Sequence, residues 1–290
     1  MKTLTIVTIN LNNVRGLRRT AESVLAQSNQ NFEWIIIDGG SSDGSAEFIK
    51  QELSSRLSYW VSEHDEGIYF ALNKGIEHAH GEYVICMNAG DVFHDKDVIS
   101  SFFDFSSPAD VIYGDWNLLL PSGCQFVHKT DKASLEFFYL DNLCHQAMFV
   151  RTSLLKSSPF DTTYKVYADW IKRREFAGAS RSFAYMPKII CDFDAINTSV
   201  SRSENSAVIA EKNRRDNLVP GSWAVPRLRD SQYRIESLNF LLAKTERALR
   251  GTEEELNSIR SSAAYRIGRL MTFPMRALLR VAHNLTKVKM

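Results

Sequence analysis

The 290-residue sequence predicts an α/β protein built on a mostly parallel sheet flanked by helices, with a helical extension at its C-terminal end. Three observations carry this. Short β-branched runs alternate with amphipathic stretches between Leu4 and Asp91. Each run ends in a polar, turn-rich loop. Beyond Pro226 the apolar residues step by three and four, in a heptad pattern.

The run Leu4–Ile9 is short and apolar, as a strand buried on both faces requires, and the polar residues Asn10–Asn13 end it. Leu17, Ala21, Val24 and Leu25 then share one helical face. Glu33–Asp38 is a second buried strand, closed by the loop Gly39–Gly44. A helix through Ala46, Ile49 and Leu53 leads to a third strand, Leu57–Val61. A helix starting near Glu66 carries Ile68, Leu72, Ile76 and Ala79. A fourth strand, Glu82–Met87, ends at Asn88-Ala89-Gly90-Asp91. Right-handed βαβ units of this kind put the polar loops Thr8–Asn12, Asp38–Asp43 and Asn88–Asp91 at one sheet edge, where open α/β sheets bind ligands. The second half is less regular: strands over Asp110–Trp116 and Ala147–Arg151, a helix over Tyr167–Phe176, and one or two strands around Pro187.

Apolar residues make up 44% of the chain and charged residues 24%, the composition of an ordinary globular protein. The net charge of +1 hides an asymmetry. No acid follows Glu255, whereas seven Lys and Arg do, so the tail carries +7 and residues 1–255 carry −6. An acidic body and a basic cluster on an apolar stretch argue against a nucleic-acid partner. The cysteines Cys86, Cys124, Cys144 and Cys191 show no zinc-like spacing, and Cys86 reads as a small buried hydrophobe. No secretory leader is recognisable, and no apolar run approaches the ~18 residues of a membrane span, which leads to the expectation of a cytoplasmic protein. Two domains are expected. Residues 1–222 form the α/β domain, with halves meeting near 115–116, and residues 223–290 form the extension. Ile235, Leu238, Leu242, Leu249, Leu256, Ile259 and Ala263 form a seam that suits either a coiled coil joining copies of the chain or a long helix lying on the body. Residues 263–290 interleave arginines with Leu270, Phe273, Leu278 and Leu279, which suits an anionic membrane surface or a helix packed on a partner.

Taken singly, the loop residues carry two readings each. Asp91 either closes a polar turn or supplies a carboxylate to a hard cation. Asp38 either closes its strand or accepts from a base or ribose. Asp169 opens a helix, where a carboxylate either caps free N–H groups or acts as a base.

Together these residues resemble glycosyltransferase family 2, of the colanic-acid and exopolysaccharide type. Thr8-Ile9-Asn10 matches the end of the family's first strand, and Asp38-Gly39-Gly40-Ser41-Ser42-Asp43-Gly44 matches its second. The long run from Ser62-Glu63-His64-Asp65-Glu66-Gly67-Ile68-Tyr69 to Ala71-Leu72-Asn73-Lys74-Gly75-Ile76 is the most specific piece. The resemblance spans residues 3–200 and implies a GT-A fold, a nucleoside-diphosphate-sugar donor and a divalent cation, Mn²⁺ or Mg²⁺. It implies that Thr8, Asn10, Asp38 and Asp65 line the nucleotide pocket. Asn73 and Lys74 lie beside that pocket or pack their helix. Asn88 and His145 face donor sugar and diphosphate, His145 having a structural alternative. Asp91 is the implied metal ligand, although Gly90 stands where many members have a second acid. Ala168-Asp169-Trp170 matches the family's base pattern, with Asp161 as the fallback, and Trp170 either stacks on a sugar or packs the core. The implied reaction is inverting transfer to a lipid-linked glycan at the cytoplasmic membrane face. The extension agrees: Ser262-Ala263-Ala264-Tyr265-Arg266-Ile267-Gly268-Arg269 through Pro274-Met275-Arg276 resembles the tails of such enzymes. A non-catalytic scaffold in the same synthesis is the other reading. A nucleotidyltransferase is disfavoured because Thr8–Asn13 is not a glycine-rich basic loop.

Overall fold

The structure, a computed structural model, describes residues 3–119, 125–128, 143–194 and 211. All of them belong to the first of two units into which the chain divides, Met1–Ser222. The heptad seam, the basic tail and Cys124 lie outside the described residues.

Four parallel strands form the first half of one sheet: β1 (Leu4–Asn10), β2 (Glu33–Asp38), β3 (Tyr59–Ser62) and β4 (Tyr83–Cys86), in the order β3-β2-β1-β4. The sheet continues through β8 (Met148–Arg151), β6 (Val111–Leu119), β9 (Phe183–Asp194) and β5 (Val92–Phe93), with β7 (Gln125–His128) paired to β6. β8 runs antiparallel to both β4 and β6, and β6 runs parallel to β9. The C-terminal ends of β1, β2, β4 and β6 therefore share one edge. The expected division near residues 115–116 falls inside β6, so a single sheet runs through both halves.

Burial on both faces explains the unbroken apolar runs. Leu4, Ile6, Trp34 and Ile36 pack under α1 (Val14–Leu25) and α4 (Val98–Asp104). Val7, Ile9, Ile35 and Ile37 pack under α3 (Ile68–Glu77), with α6 (Ala168–Gly178) contributing to the same cluster. Between β8 and α6 lies the short α5 (Thr152–Ser157). α3 lies close on β1 because Gly75 carries no side chain: a Cβ there would stand 2.4 Å from Val7 Cγ1. Asn13 caps α1, its Oδ1 accepting from Gly16 N–H at 3.0 Å, and Leu17, Ala21 and Val24 are buried as predicted. Leu25 is not: at 38% exposure it ends the helix in solvent. The helix predicted through Leu53 is α2 (Ser45–Phe48) continued by a π-turn, Ile49–Leu53, and a 3₁₀ turn, Ser54–Arg56. Cys86, Cys144 and Cys191 are buried free thiols, and burial pushes Cys86 up to about 12, as an inert core residue requires.

Candidate active site

The loops after β1 and β2 are stitched into one wall. The Asp38 carboxylate is fully buried and accepts four hydrogen bonds: Asn10 Nδ2 at 2.7 Å, Ser41 Oγ at 2.6 Å, Ser41 N–H at 3.0 Å and Ser62 Oγ at 2.6 Å. A carboxylate has about four acceptor positions, so all are in use. Asn12 Oδ1 accepts from Ser42 N–H at 2.8 Å, and Asp43 Oδ2 accepts from Val14 N–H at 2.7 Å. Asp65 borders this wall from the loop after β3. Its Oδ1 accepts from Gly67 N–H at 3.0 Å, and its Oδ2 would stand 2.8 Å from a Cβ at Gly39. Gly39 therefore leaves room for that carboxylate. Asn10 Oδ1 is buried and has no hydrogen-bond partner, which makes it an acceptor available to a ligand at this wall.

A second group of residues lies beyond β4. Gly90, at φ +112, turns the loop so that its N–H reaches Thr20 Oγ1 at 2.9 Å, while that hydroxyl donates to Asp91 O at 2.7 Å. Asn13 Nδ2 holds Ala89 O at 3.0 Å. Asp91 is 6% exposed, and its Oδ2 accepts from Gln146 Nε2 at 2.5 Å. Asn88 Nδ2 meets His145 Nε2 at 3.2 Å, and the other ring nitrogen, Nδ1, stands 3.5 Å from Asp169 Oδ2. Asp169 Oδ1 accepts from the Tyr69 hydroxyl at 2.9 Å. A continuous line of polar contacts thus runs Asn88–His145–Asp169–Tyr69 across one loop, one turn and two helices. Burial pushes the Asp169 carboxyl up, but the His145 contact and charge, the Arg173 guanidinium and the Tyr69 hydroxyl outweigh it and hold it below the ordinary carboxylate range. The side chain is turned to these partners rather than to the N–H groups of its own helix.

Several sequence expectations change here. Thr8 does not reach the pocket: it is fully buried, and its Oγ1 accepts from Trp34 Nε1 at 3.1 Å. Asn73 is a packing group, its amide paired with the Phe160 backbone at 2.9 Å in both directions. Lys74 ion-pairs with exposed Glu63 at 2.6 Å. Asp38 shapes the wall through its protein partners instead of presenting open acceptors. Asp161 is exposed and accepts from Thr163 N–H at 2.9 Å in a local turn, apart from the Asn88–Asp169 line. Trp170 carries Arg173 and Arg174 over its ring at 4.9 and 5.4 Å, so its face is taken by its own helix. The sequence reading assigned no role to Tyr69, Gln146 or Asp115. Asp115 is a carboxylate 1% exposed on β6 that accepts from Tyr185 OH at 3.0 Å, between two register shifts in the β6–β9 pairing. Tyr69 lies inside the longest matched run, and Gln146 directly follows His145. Asp115 stands in the middle of β6, where no polar loop marks it in the sequence.

The open sheet, with polar loops gathered at the C-terminal edge of β1, β2 and β4, is that of the GT-A glycosyltransferases. The structure aligns with S. aureus TarS 1–349 in complex with UDP-GlcNAc at a TM-score of 0.60 and 16% identity, covering 70% of this chain and 62% of that one. It aligns with mannosyltransferase PcManGT from Pyrobaculum calidifontis, in complex with GDP-Man and Mn²⁺, at a TM-score of 0.56 and 17% identity, covering 93% of this chain and 84% of that one. The glycosyl transferase family 2 profile matches residues 5–118. An uncharacterised glycosyltransferase of Mycobacterium tuberculosis is 30% identical over 225 residues, 74% of this chain and 84% of its own length. A PGL/p-HBAD biosynthesis glycosyltransferase of Mycobacterium bovis is 28% identical over 197 residues, 65% of this chain and 75% of its own. The chain belongs to glycosyltransferase family 2, and it is a glycosyltransferase.

Proposed function

We propose that the enzyme moves a sugar with inversion from a nucleoside-diphosphate sugar to a lipid-linked oligosaccharide in bacterial surface polysaccharide synthesis. The observation that carries the reaction is the Asp169 carboxylate, held by Tyr69 and His145 in line with Asn88 of the loop after β4. A carboxylate held below its usual range is ionised at neutral pH, which a base must be before it takes a proton. In the reaction the acceptor hydroxyl attacks the anomeric carbon opposite the leaving nucleotide. Its proton passes to Asp169, and the bond from the sugar to the diphosphate oxygen breaks with its electron pair. The TarS and PcManGT complexes, with UDP-GlcNAc and GDP-Man, support a donor of this class. The wall of Asn10, Asp38, Ser41, Ser62 and Asp65 is the nucleotide end of the site. Asn88 and His145 are its sugar and diphosphate end. The buried, unpartnered Oδ1 atoms of Asn10 and Asn88 are acceptors suited to such a ligand.

Among the described residues, no three His, Cys, Asp or Glu side chains gather as a metal-binding group. Asp91 alone faces the task. That donor set fits a hard cation that takes one or two carboxylates and completes its shell with diphosphate and water. Asp91 would hold it, and when bound it would neutralise charge on the leaving diphosphate. The PcManGT complex with Mn²⁺ supports this assignment.

The lipid-linked acceptor, and a peripheral position on the inner face of the cytoplasmic membrane, are inferred from the basic, apolar residues 263–290. Residues 235–263 are the proposed self-association segment. Among the described residues, no helix is long and apolar enough to cross a membrane. The test compares the full chain with a form lacking residues 263–290, using vesicles that contain anionic lipid and a lipid-linked glycan extract. The full chain is expected to sediment with the vesicles and to label the lipid fraction from a radiolabelled nucleotide sugar. The shortened chain is expected to stay in the supernatant. Equal sedimentation of both would contradict the role of the tail, and label confined to water-soluble glycans would contradict the acceptor class.

A further inference from the structure

Tyr69 has one hydroxyl proton and two acceptors within reach. Its oxygen lies 2.6 Å from Val166 O and 2.9 Å from Asp169 Oδ1. The ring is 4% exposed and packs against Phe160 with centroids 5.5 Å apart, so the hydroxyl is delivered from a fixed position on α3. The segment that carries the Val166 carbonyl is held too. The Glu211 carboxylate accepts from Lys165 N–H at 2.6 Å and Val166 N–H at 2.9 Å, and Lys165 Nζ donates to Glu66 O at 3.2 Å. Burial, and then the Asp169 charge, push the phenol well above its usual value, so it stays protonated.

Resting on the reading of Asp169 as the base, we propose that Tyr69 is its positioning residue: a two-position hydroxyl that serves both protonation states of the carboxylate. While Asp169 is ionised, the hydroxyl donates to Oδ1, because a hydrogen bond to a charged acceptor is the stronger one. When the acceptor's O–H bond breaks and the proton arrives on Asp169, the carboxyl becomes a donor. The Tyr69 hydroxyl then turns to Val166 O, and its oxygen accepts from the new carboxyl O–H. Apart from the transferred proton, only the hydroxyl proton moves, and Asp169 Oδ1 keeps Tyr69 as its hydrogen-bond partner in both protonation states. The other groups facing Asp169 are His145, from the turn before β8, and Arg173, on its own helix. Lys172 lines the same small cavity and is engaged by Ser158 and Glu175. None of these offers both a donor and an acceptor in one atom.

The test replaces the hydroxyl and leaves the ring. Tyr69→Phe should lower kcat by about 10- to 100-fold, the range expected for loss of one hydrogen bond to a charged group. The donor KM should stay unchanged. The sign of the pH effect follows from the bond that is lost. The ionised carboxylate loses a donor, its pKa rises, and the acid limb of the kcat profile moves to higher pH. Incorporating 3-fluorotyrosine at position 69, a stronger O–H donor, should move the limb the other way. That second protein also serves if Tyr69→Phe does not fold, as judged by its thermal midpoint. An acid limb unmoved in both would overturn the positioning role. If Asp169→Asn retained full transfer, the base reading would fail instead, and the two failures are thereby distinguished.

Discussion

Asp169→Asn is expected to bind the donor with an affinity within about twofold of the wild type and to lose transfer by ~10²–10⁴, the usual contribution of a positioned base. The substitution keeps the size of the side chain and one acceptor oxygen for Tyr69, so the packing of α6 against the sheet is preserved. It removes the charge that His145 and Arg173 face and the lone pair that takes the proton. Separate measurement of nucleotide affinity and turnover makes the claim specific. A variant that binds normally and turns over normally would remove Asp169 from the chemistry. A variant that binds poorly but reacts normally once saturated would assign it to the donor site.

Asp38→Ala is expected to have the largest effect on stability. Asp38 is fully buried and receives four hydrogen bonds from Asn10, Ser41 and Ser62. Truncation leaves these donors facing a void, at a cost of ~1–3 kcal/mol for each buried group left unmatched. Hydroxyls that turn to other partners reduce the total, yet two orphaned donors already represent a large part of a typical domain stability of ~5–15 kcal/mol. Because the same carboxylate ties the loop after β1 to that after β2, nucleotide binding is expected to fall together with the thermal midpoint. Calorimetric unfolding beside a binding titration checks both. A midpoint within a degree or two of the wild type would mean that the four bonds do not hold the wall.

The first four strands were legible because a sheet covered on both faces shows apolar runs with polar loops at one end, and no tertiary knowledge is needed to see them. β5 has two residues and α5 has six, too few for a period to register. α6 was read as a helix over Tyr167–Phe176, but its inward face was not legible, because Lys172, Arg173 and Arg174 are buried on it. In the site, the motif singled out Asp169, and its partners, Tyr69 and His145, became visible only in the fold. The resemblance put Thr8 at the pocket and Asn73 either beside it or packing its helix, since a motif does not show which side chains the fold engages. Trp34 and the Phe160 backbone, 26 and 87 residues away, turn out to hold them. Tyr69 could not be paired with Asp169 by local spacing, since 100 residues separate them.

The most direct measurement is calorimetric titration of the full chain, and of Asp91→Asn, with UDP, GDP and dTDP, each with and without Mn²⁺. A nucleotide-sugar-dependent transferase with Asp91 at its diphosphate end should bind one of the three selectively. Mn²⁺ should strengthen that binding in the wild type and leave it unchanged in Asp91→Asn. A well-folded protein that binds none of them, in either condition, would contradict the proposed donor class.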